Sequence, residues 1–322
     1  MILSRRQLLC LASSAAILAS SRSALALDYP ARPVRILVGY SAGGVSDIVA
    51  RLLAQKLSER LDQSFIVENK PGAGSNVAAS LALHAAPDGY TLFLAGISNA
   101  INVALYSNLD FDFVRDVSPV GLISRSPLVM VVSPTFPAKT VSEFITYAKE
   151  RPGKLNMGST GVGGATHVGG ELFQMMAGIK MVHVPYRGSP PAQSDLLAGR
   201  IEVMFDNIAA AIGLIRGGKL RALALSAPTA ALSDVPQISD YLPGYEAYVW
   251  NGLVAPKGCP ASIIQKLNAE MKTIADDASF KAQLSQLGNT VAFDTARDFG
   301  KLVAEETDKW GKVVKFAKLQ PQ

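Results

Sequence analysis

The chain has 322 residues, with 31 Lys or Arg against 26 Asp or Glu, a formal charge of +5 and a sequence pI near 9.1. Hydrophobic residues make up 49% of it and charged residues 18%, the balance of a globular protein rather than a disordered or fibrous one. The excess positive charge forms no Lys/Arg run and no basic-aromatic stripe, which argues against a nucleic-acid partner, and two cysteines exclude a disulfide scaffold.

Met1 to Ala26 has the form of an export signal. Arg5 and Arg6 precede an apolar run from Leu8 to Leu18, shorter than the roughly 20 residues of a membrane helix, and Ala24-Leu25-Ala26 offers a small-residue cleavage site. Ser4-Arg5-Arg6-Gln7-Leu8-Leu9 suits either the twin-arginine or the general secretory (Sec) route. Cleavage after Ala26 removes Arg5, Arg6 and Arg22 and no acid, so the charge falls from +5 to +2 and the product is expected in the periplasm. Cys10 leaves with the signal. Cys259, read as a loop thiol, then stands alone, and a core of ordinary size has to hold the mature chain together.

Val34, Ile36, Leu37 and Val38 form a β-rich run that stops at Gly39, after which Ile48, Val49, Leu52, Leu53, Leu57 and Leu61 recur at helical spacing. Between them, Gly43-Gly44 permits positive φ and close approach of a ligand, and Ser46 or Asp47 is placed to cap the helix. The free amides and positive end of such a helix suit an anion. Strand-like segments then follow at Phe65 to Val67, Tyr90 to Ala95, Leu128 to Val132, Leu155 to Met157, Met181 to Val184, Ile201 to Phe205 and Arg221 to Ser226, alternating with helical patterns. That alternation predicts an α/β fold with largely parallel sheets. Thr140-Val141-Ser142-Glu143 fits a capping box, and Ser189-Pro190 opens a helix that stops at Gly199. Pro119 to Ser133 and Tyr245 to Ala255 are apolar runs flanked by Pro or Gly and are read as crossings between two lobes. Ala261 to Lys318 is almost wholly helical by periodicity and needs a sheet to cover, so it is expected to return to the first lobe. The domains are therefore drawn as a signal peptide at 1–26, a discontinuous lobe I at 27–128 plus 248–322, and lobe II at 129–247.

Gly39-Tyr40-Ser41-Ala42-Gly43 matches the GxSxG nucleophile elbow in its strand-turn-helix context, so a serine ester hydrolase using Ser41 is the alternative reading. Against it, the motif follows the first strand of the mature chain, which leaves no upstream loop for a second oxyanion donor. His84 and His183 lie in segments where a structural histidine is the commoner case. Gly213 to Lys219 resembles a phosphate loop but lacks the Ser/Thr and ends a helix. Gly158 to His167 is a second loop rich in glycine and hydroxyls and repeats the physics of the first. His167 and Glu171 have no third metal-ligand candidate nearby, so neither metal nor cofactor is expected. Gly96-Ile97-Ser98-Asn99 and Asp206-Asn207 are two more polar loops after strands. Ligands of open α/β sheets collect outside the carboxyl ends of strands, so the four loops are expected to meet in one cleft.

Tyr29-Pro30-x-Arg32-Pro33-Val34-Arg35, the loop ending at Asp47, Val67-Glu68-Asn69-Lys70-Pro71-Gly72-Ala73-Gly74, Ala86-Pro87-Asp88-Gly89-Tyr90-Thr91, His183-Val184-Pro185-Tyr186-Arg187-Gly188 and Met204-Phe205-Asp206-Asn207 resemble the substrate-binding proteins of tripartite tricarboxylate transporters, also called Bug proteins. The resemblance runs from about Tyr29 to Lys318. It implies a fold of the periplasmic-binding-protein type (type II-like), two α/β lobes joined by two crossing strands, without catalysis. The ligand it implies is a small carboxylate, an aliphatic di- or tricarboxylate, an amino acid or an aromatic acid, and the partners are membrane transporter subunits, the receptor itself being a monomer. Carried over residue by residue, the binding set is Tyr40, Ala42, Gly43, Gly44, Ser46, Asp47, Ser98, Ser159, Thr160, Thr166, His167 and Asp206. The first loop departs from the family, with Gly39-Tyr40-Ser41-Ala42 where many relatives read Pro-Phe-Ala-Pro.

Overall fold

The computed structural model describes residues 29–320, and the export signal read at 1–26 lies outside them. Strand β1 (Val34–Val38) is buried on both faces and pairs in parallel with β2 (Phe65–Asn69) and β3 (Thr91–Gly96), Ile36 standing opposite Val67 and Leu92. Helix α1 (Val45–Leu61) covers one face of these strands through Val49, Leu53 and Leu57, the stripe its 3.6-residue period predicts, and α2 (Asn76–Leu83) follows β2. Strand β3 runs into α3 (Ile97–Leu105) without an intervening loop, so Gly96 ends the strand and Ser98 already lies in the first helical turn.

The 16-residue β4 (Val117–Val132) belongs to both sheets. Its first part pairs antiparallel with β9 (Tyr248–Pro256) on one side and with the short β10 (Thr290–Val291) on the other. Its last five residues, Leu128 to Val132, pair antiparallel with β7 (Val203–Asn207) and β8 (Arg221–Leu225). The register slips near Pro119 and again between Leu122 and Ser124, irregularities that twist the strand as it passes from one sheet to the next. β5 (Asn156–Ser159) lies parallel between β7 and β6 (Val182–Pro185). The sheets are thus mixed, not largely parallel: the two crossing strands run against their neighbours. Asp206 and Asn207 are not a loop either; they close β7, opposite Val129 and Leu128.

Helices α4 (Val141–Lys149), α5 (Ala165–Ala177), α6 (Ser189–Leu197) and α7 (Ile208–Arg216) clothe the second sheet. Only half of the expected capping box forms: Thr140 Oγ1 accepts from Glu143 N at 3.2 Å, while the Glu143 carboxylate reaches Lys139 N at 2.7 Å. The chain then returns through β9 to α8 (Ala261–Asp276), α9 (Ala278–Gln286) and α10 (Ala296–Ala317). α8 packs on α1 and β4, whereas α10 lies on α3 and β4 and also touches α5 of the second sheet. Alternate residues of β1 feed two cores, Leu37 joining Phe93, Trp250 and Trp310, and Ile36 joining Leu53, Leu267 and Met271; Val129, Leu196 and Met204 form a third. Cys259 is buried rather than displayed in a loop, and burial, helped by Asp88, pushes its thiol up to about 11.

Candidate functional site

Two turns, one after each lead strand, have the same geometry. Gly43 and Gly163 take φ of 83° and 72°, and Gly44 and Gly164 follow at φ/ψ of −74°/163° and −75°/163° as the cap residues of α1 and α5. Gly44 N donates to Ser41 O and Gly164 N to Gly161 O, both at 3.4 Å. Each turn is pinned by the side chain four residues on: Gly43 N donates to Asp47 Oδ2 at 2.8 Å, and Gly163 N to His167 Nδ1 at 3.1 Å. Neither Ser46 nor Asp47 is the cap; Gly44 is, and no side chain caps α1. Among the described residues no protein acceptor meets the amides of Val45, Ser46, Ala165 or Thr166, so each turn presents free N–H groups at the positive end of a helix. Ala42 and Gly44 are exposed at the first turn and Ser46 is half-buried.

The side chains around the first turn hold it in place. Asp47 is buried and accepts from Gly43 N, from Arg51 Nε at 3.0 Å and from Asn69 Nδ2 at 2.9 Å. Burial works to raise its pKa, but Arg51, the Gly43 amide and Asn69 together outweigh it and hold the carboxyl below its usual range. Asn69 also donates to Tyr40 O, so one amide ties β2 to both ends of the turn. The Tyr40 hydroxyl donates to Ser98 Oγ at 2.8 Å, and its enclosed end is pushed above the ordinary phenol value by burial, with the Ser98 bond opposing. A Cβ on Gly39 would fall 1.8 Å from Ser75 Oγ, so this glycine serves close packing of the 72–75 loop. Ser75 Oγ, Asn76 Nδ2 and Asn99 Nδ2 are buried beside it without partners. The sequence reading passes over Ser75 and Asn76, and it names Asn99 and Asn69 only within longer stretches, although the polar residues after β2 and at the start of α3 were their signal.

On the second sheet, Thr166 Oγ1 accepts from Thr160 N at 2.9 Å and lies 2.8 Å from Thr160 Oγ1, closing the loop on itself. Ser159 Oγ lies 2.6 Å from His183 Nε2, and the rings of His183 and His167 stack with centroids 3.5 Å apart and 11° between planes. Burial pushes His183 down to about 3, and His167 beside it acts in the same direction. Asp206 accepts from Ser189 Oγ at 2.6 Å, Gln193 Nε2 at 2.7 Å and Asn207 N at 2.8 Å. Burial nonetheless raises its pKa against those three donors. Tyr40, Ser98 and the first turn are therefore assembled by the first sheet, and Ser159, Thr160, Thr166, His167 and Asp206 by the second. The second turn meets the far end of α3, where a Cβ on Gly163 would come 2.6 Å from Leu105 Cδ2.

This arrangement binds rather than reacts. No histidine bonds Ser41: His84 Nδ1 engages Ser80 O, and His167 and His183 belong to the other sheet. Among the described residues no group of three metal-ligating side chains occurs, and His167 and Glu171 stay a lone pair 3.5 Å apart. What remains is a set of amides and hydroxyls with no Lys or Arg side chain in either turn, chemistry for an anion held by hydrogen bonds.

Two sheets joined by crossing strands, each carrying a donor-rich turn, suit a solute-binding receptor of the periplasmic-binding-protein class. The comparisons agree. Residues 49–319 match the family described as "Tripartite tricarboxylate transporter family receptor". BugT of Bordetella pertussis is 32% identical over 292 residues, covering 89% of this chain and 90% of its own. A Rhodopseudomonas palustris protein solved with adipate is 34% identical with a TM-score of 0.76, and MatC of Rhodopseudomonas palustris, solved with bound malate, is 32% identical with a TM-score of 0.72. The first covers 91% of this chain and the second 89%, each over the whole of its own length at 100%. The chain belongs to the tripartite tricarboxylate transporter receptor family, whose members are solute receptors and not enzymes.

Proposed function

We propose that the mature chain is a periplasmic receptor, exported and cleaved after Ala26, that takes a small carboxylate between lobe I (27–128 plus 248–322) and lobe II (129–247) and presents it as a monomer to membrane transporter subunits. The observation that carries this is the pair of matched glycine turns, one on each sheet, each offering free helix N-terminal amides and no Lys or Arg within the turn itself. A carboxylate on the Val45–Ser46 amides gains contacts to Ala165 and Thr166 only when the lobes close, so it binds the closed form better. Bound ligand then shifts an open-closed equilibrium by that difference in affinity. A micromolar Kd corresponds to about −8 kcal/mol, within reach of a few charge-assisted bonds and some apolar burial after ordering costs. Structural relatives solved with adipate and with malate support trying aliphatic dicarboxylates first.

The test is the thermal midpoint of the chain from Leu27 onward, unfolded and refolded to strip carried-over ligand, against a panel of small carboxylates. Ligand at about a hundredfold excess over Kd adds about 2.7 kcal/mol to stability. A shift confined to one structural class is expected and names the ligand. A natively refolded protein that ignores the whole panel would count against a carboxylate receptor.

A further inference from the structure

Beside α5, and apart from the first-sheet loops, lies a cavity of about 730 Å³, within the range of small-molecule sites. It contains Val162, His167 and His183 of the second-sheet cluster but none of Tyr40, Ser98 or the first turn, and it is roofed by the last turn of α10 and the residues after it, from Phe316. Three α5 side chains at i, i+4 and i+7 line it, and all three are buried polar groups: His167, Glu171 and Gln174.

Their hydrogen-bonding roles are fixed by what each holds behind it. His167 Nδ1 accepts from Gly163 N, so the neutral ring carries its proton on Nε2, and Nε2 has no partner. Gln174 Oε1 accepts from Met181 N at 2.5 Å, which orients the amide and leaves Nε2 a donor, also without a partner. Between them the Glu171 side chain is 10% exposed and accepts no hydrogen bond among the described residues, with His167 Nε2 3.5 Å away, so its carboxylate is open to the cavity. Lys180 stands at the mouth beside the Gln174 end, and Ile179, Met181 and Phe316 supply apolar wall. Two buried donors, His167 Nε2 and Gln174 Nε2, are left without partners on a cavity that also carries a carboxylate and an ammonium, a costly arrangement unless a ligand completes it.

We propose that this cavity is a second ligand site, away from the first turn and sharing only the second-sheet loop with the proposed carboxylate cleft, for a short zwitterionic amino carboxylate. Its ammonium sits on Glu171, its carboxylate spans Gln174 Nε2 and Lys180, and its methylenes lie along Ile179 and Met181. Because α10 comes from lobe I and α5 from lobe II, occupancy of this site bridges the two lobes at their outer edge.

The probe is δ-aminovalerate, with valerate and pentylamine as single-charge controls, titrated into the nitrogen-15-labelled mature chain. The readout is the Gln174 side-chain amide pair, identified by its loss in Gln174→Met, while the Val45 and Ser46 backbone amides report on the cleft. The expected result is saturable movement of the Gln174 pair by δ-aminovalerate, with the two controls weaker by at least about tenfold, the value of one charged hydrogen bond. Glu171→Gln should weaken the zwitterion by a similar factor and bring it level with valerate. Lys180→Ala changes an exposed residue and keeps the question open to refutation should Glu171→Gln fold poorly; it should weaken δ-aminovalerate and valerate alike. A Gln174 pair unmoved by the zwitterion, moved equally by valerate, or moved only together with Val45 and Ser46 would overturn the second site. That outcome would leave the cleft reading, which the carboxylate panel tests separately, where it stands.

Discussion

Asp47 shows why residue type alone did not reveal role. It was legible as a polar group at a helix start, but the sequence could not say that its carboxylate is engaged by Gly43, Asn69 and Arg51. The same holds for Asp206, filled by Ser189, Gln193 and Asn207. Both are decided by partners distant in sequence, which spacing does not encode. The consequence for Asp47 is a pH-dependent contribution of known sign. Its folded pKa is depressed, so the stabilisation is present above the unfolded carboxylate value, near 4, and is lost as pH falls through the lower folded value. Asp47→Asn is therefore expected to cost about 2 kcal/mol near neutrality, from the buried amide donors more than from half-exposed Arg51, whose ion pair is worth about 0.5 kcal/mol. Urea unfolding of both proteins across pH checks it: the gap should close on acidification, and a constant gap would assign the loss to shape rather than charge.

At the scale of elements, the strand-turn-helix of β1 and α1 and the long terminal helices were plain from apolar period, because each buries one continuous stripe or face. Strand direction was not, since a crossing strand has the same local pattern whichever way its neighbours run. The two-residue β10 is too short to carry a period, and it interrupts the helical tail only because Ser124 and Arg125 offer it an edge. The matched turns were visible as glycine-rich loops, though their identity in φ and ψ was not. They make a paired experiment. At Gly43, φ is 83° and a Cβ would meet no atom within 4 Å, so Gly43→Ala pays only for the left-handed backbone, about 1–2 kcal/mol. Gly163→Ala carries the same backbone cost and adds a methyl 2.6 Å from Leu105 Cδ2, on the surface the turn meets across the sheets. Both variants should lose carboxylate affinity in calorimetric titration, Gly163→Ala by several-fold more because its methyl pushes the second turn off α3. Equal losses would mean that Leu105 is not part of the closing surface.

The whole molecule turns on β4 and β9, and the composition provides a reporter there. The chain has two tryptophans, Trp250 on β9 and Trp310 on α10, both buried. Their indole N–H groups donate to one oxygen of Glu306, at 3.2 Å and 2.8 Å, and Lys309 pairs with the other. Glu306 itself sits in the buried stripe of α10, an acid that periodicity would have placed on the outside. Trp250 pairs with Arg125, two residues from Tyr248 and Pro127, where β9 begins and β4 goes on to the second sheet. A rotation about the crossing strands has to move Trp250 relative to α10, stretching the longer of the two bonds before the shorter. Saturating carboxylate is therefore expected to change the intrinsic fluorescence, and Trp250→Phe to abolish most of that change while thermal stabilisation by ligand persists. Trp310→Phe should keep it. If the signal survives Trp250→Phe and disappears with Trp310→Phe, the moving part is α10 against α3 and α5 rather than the strands, and closure is a sliding of that helix instead of a hinge.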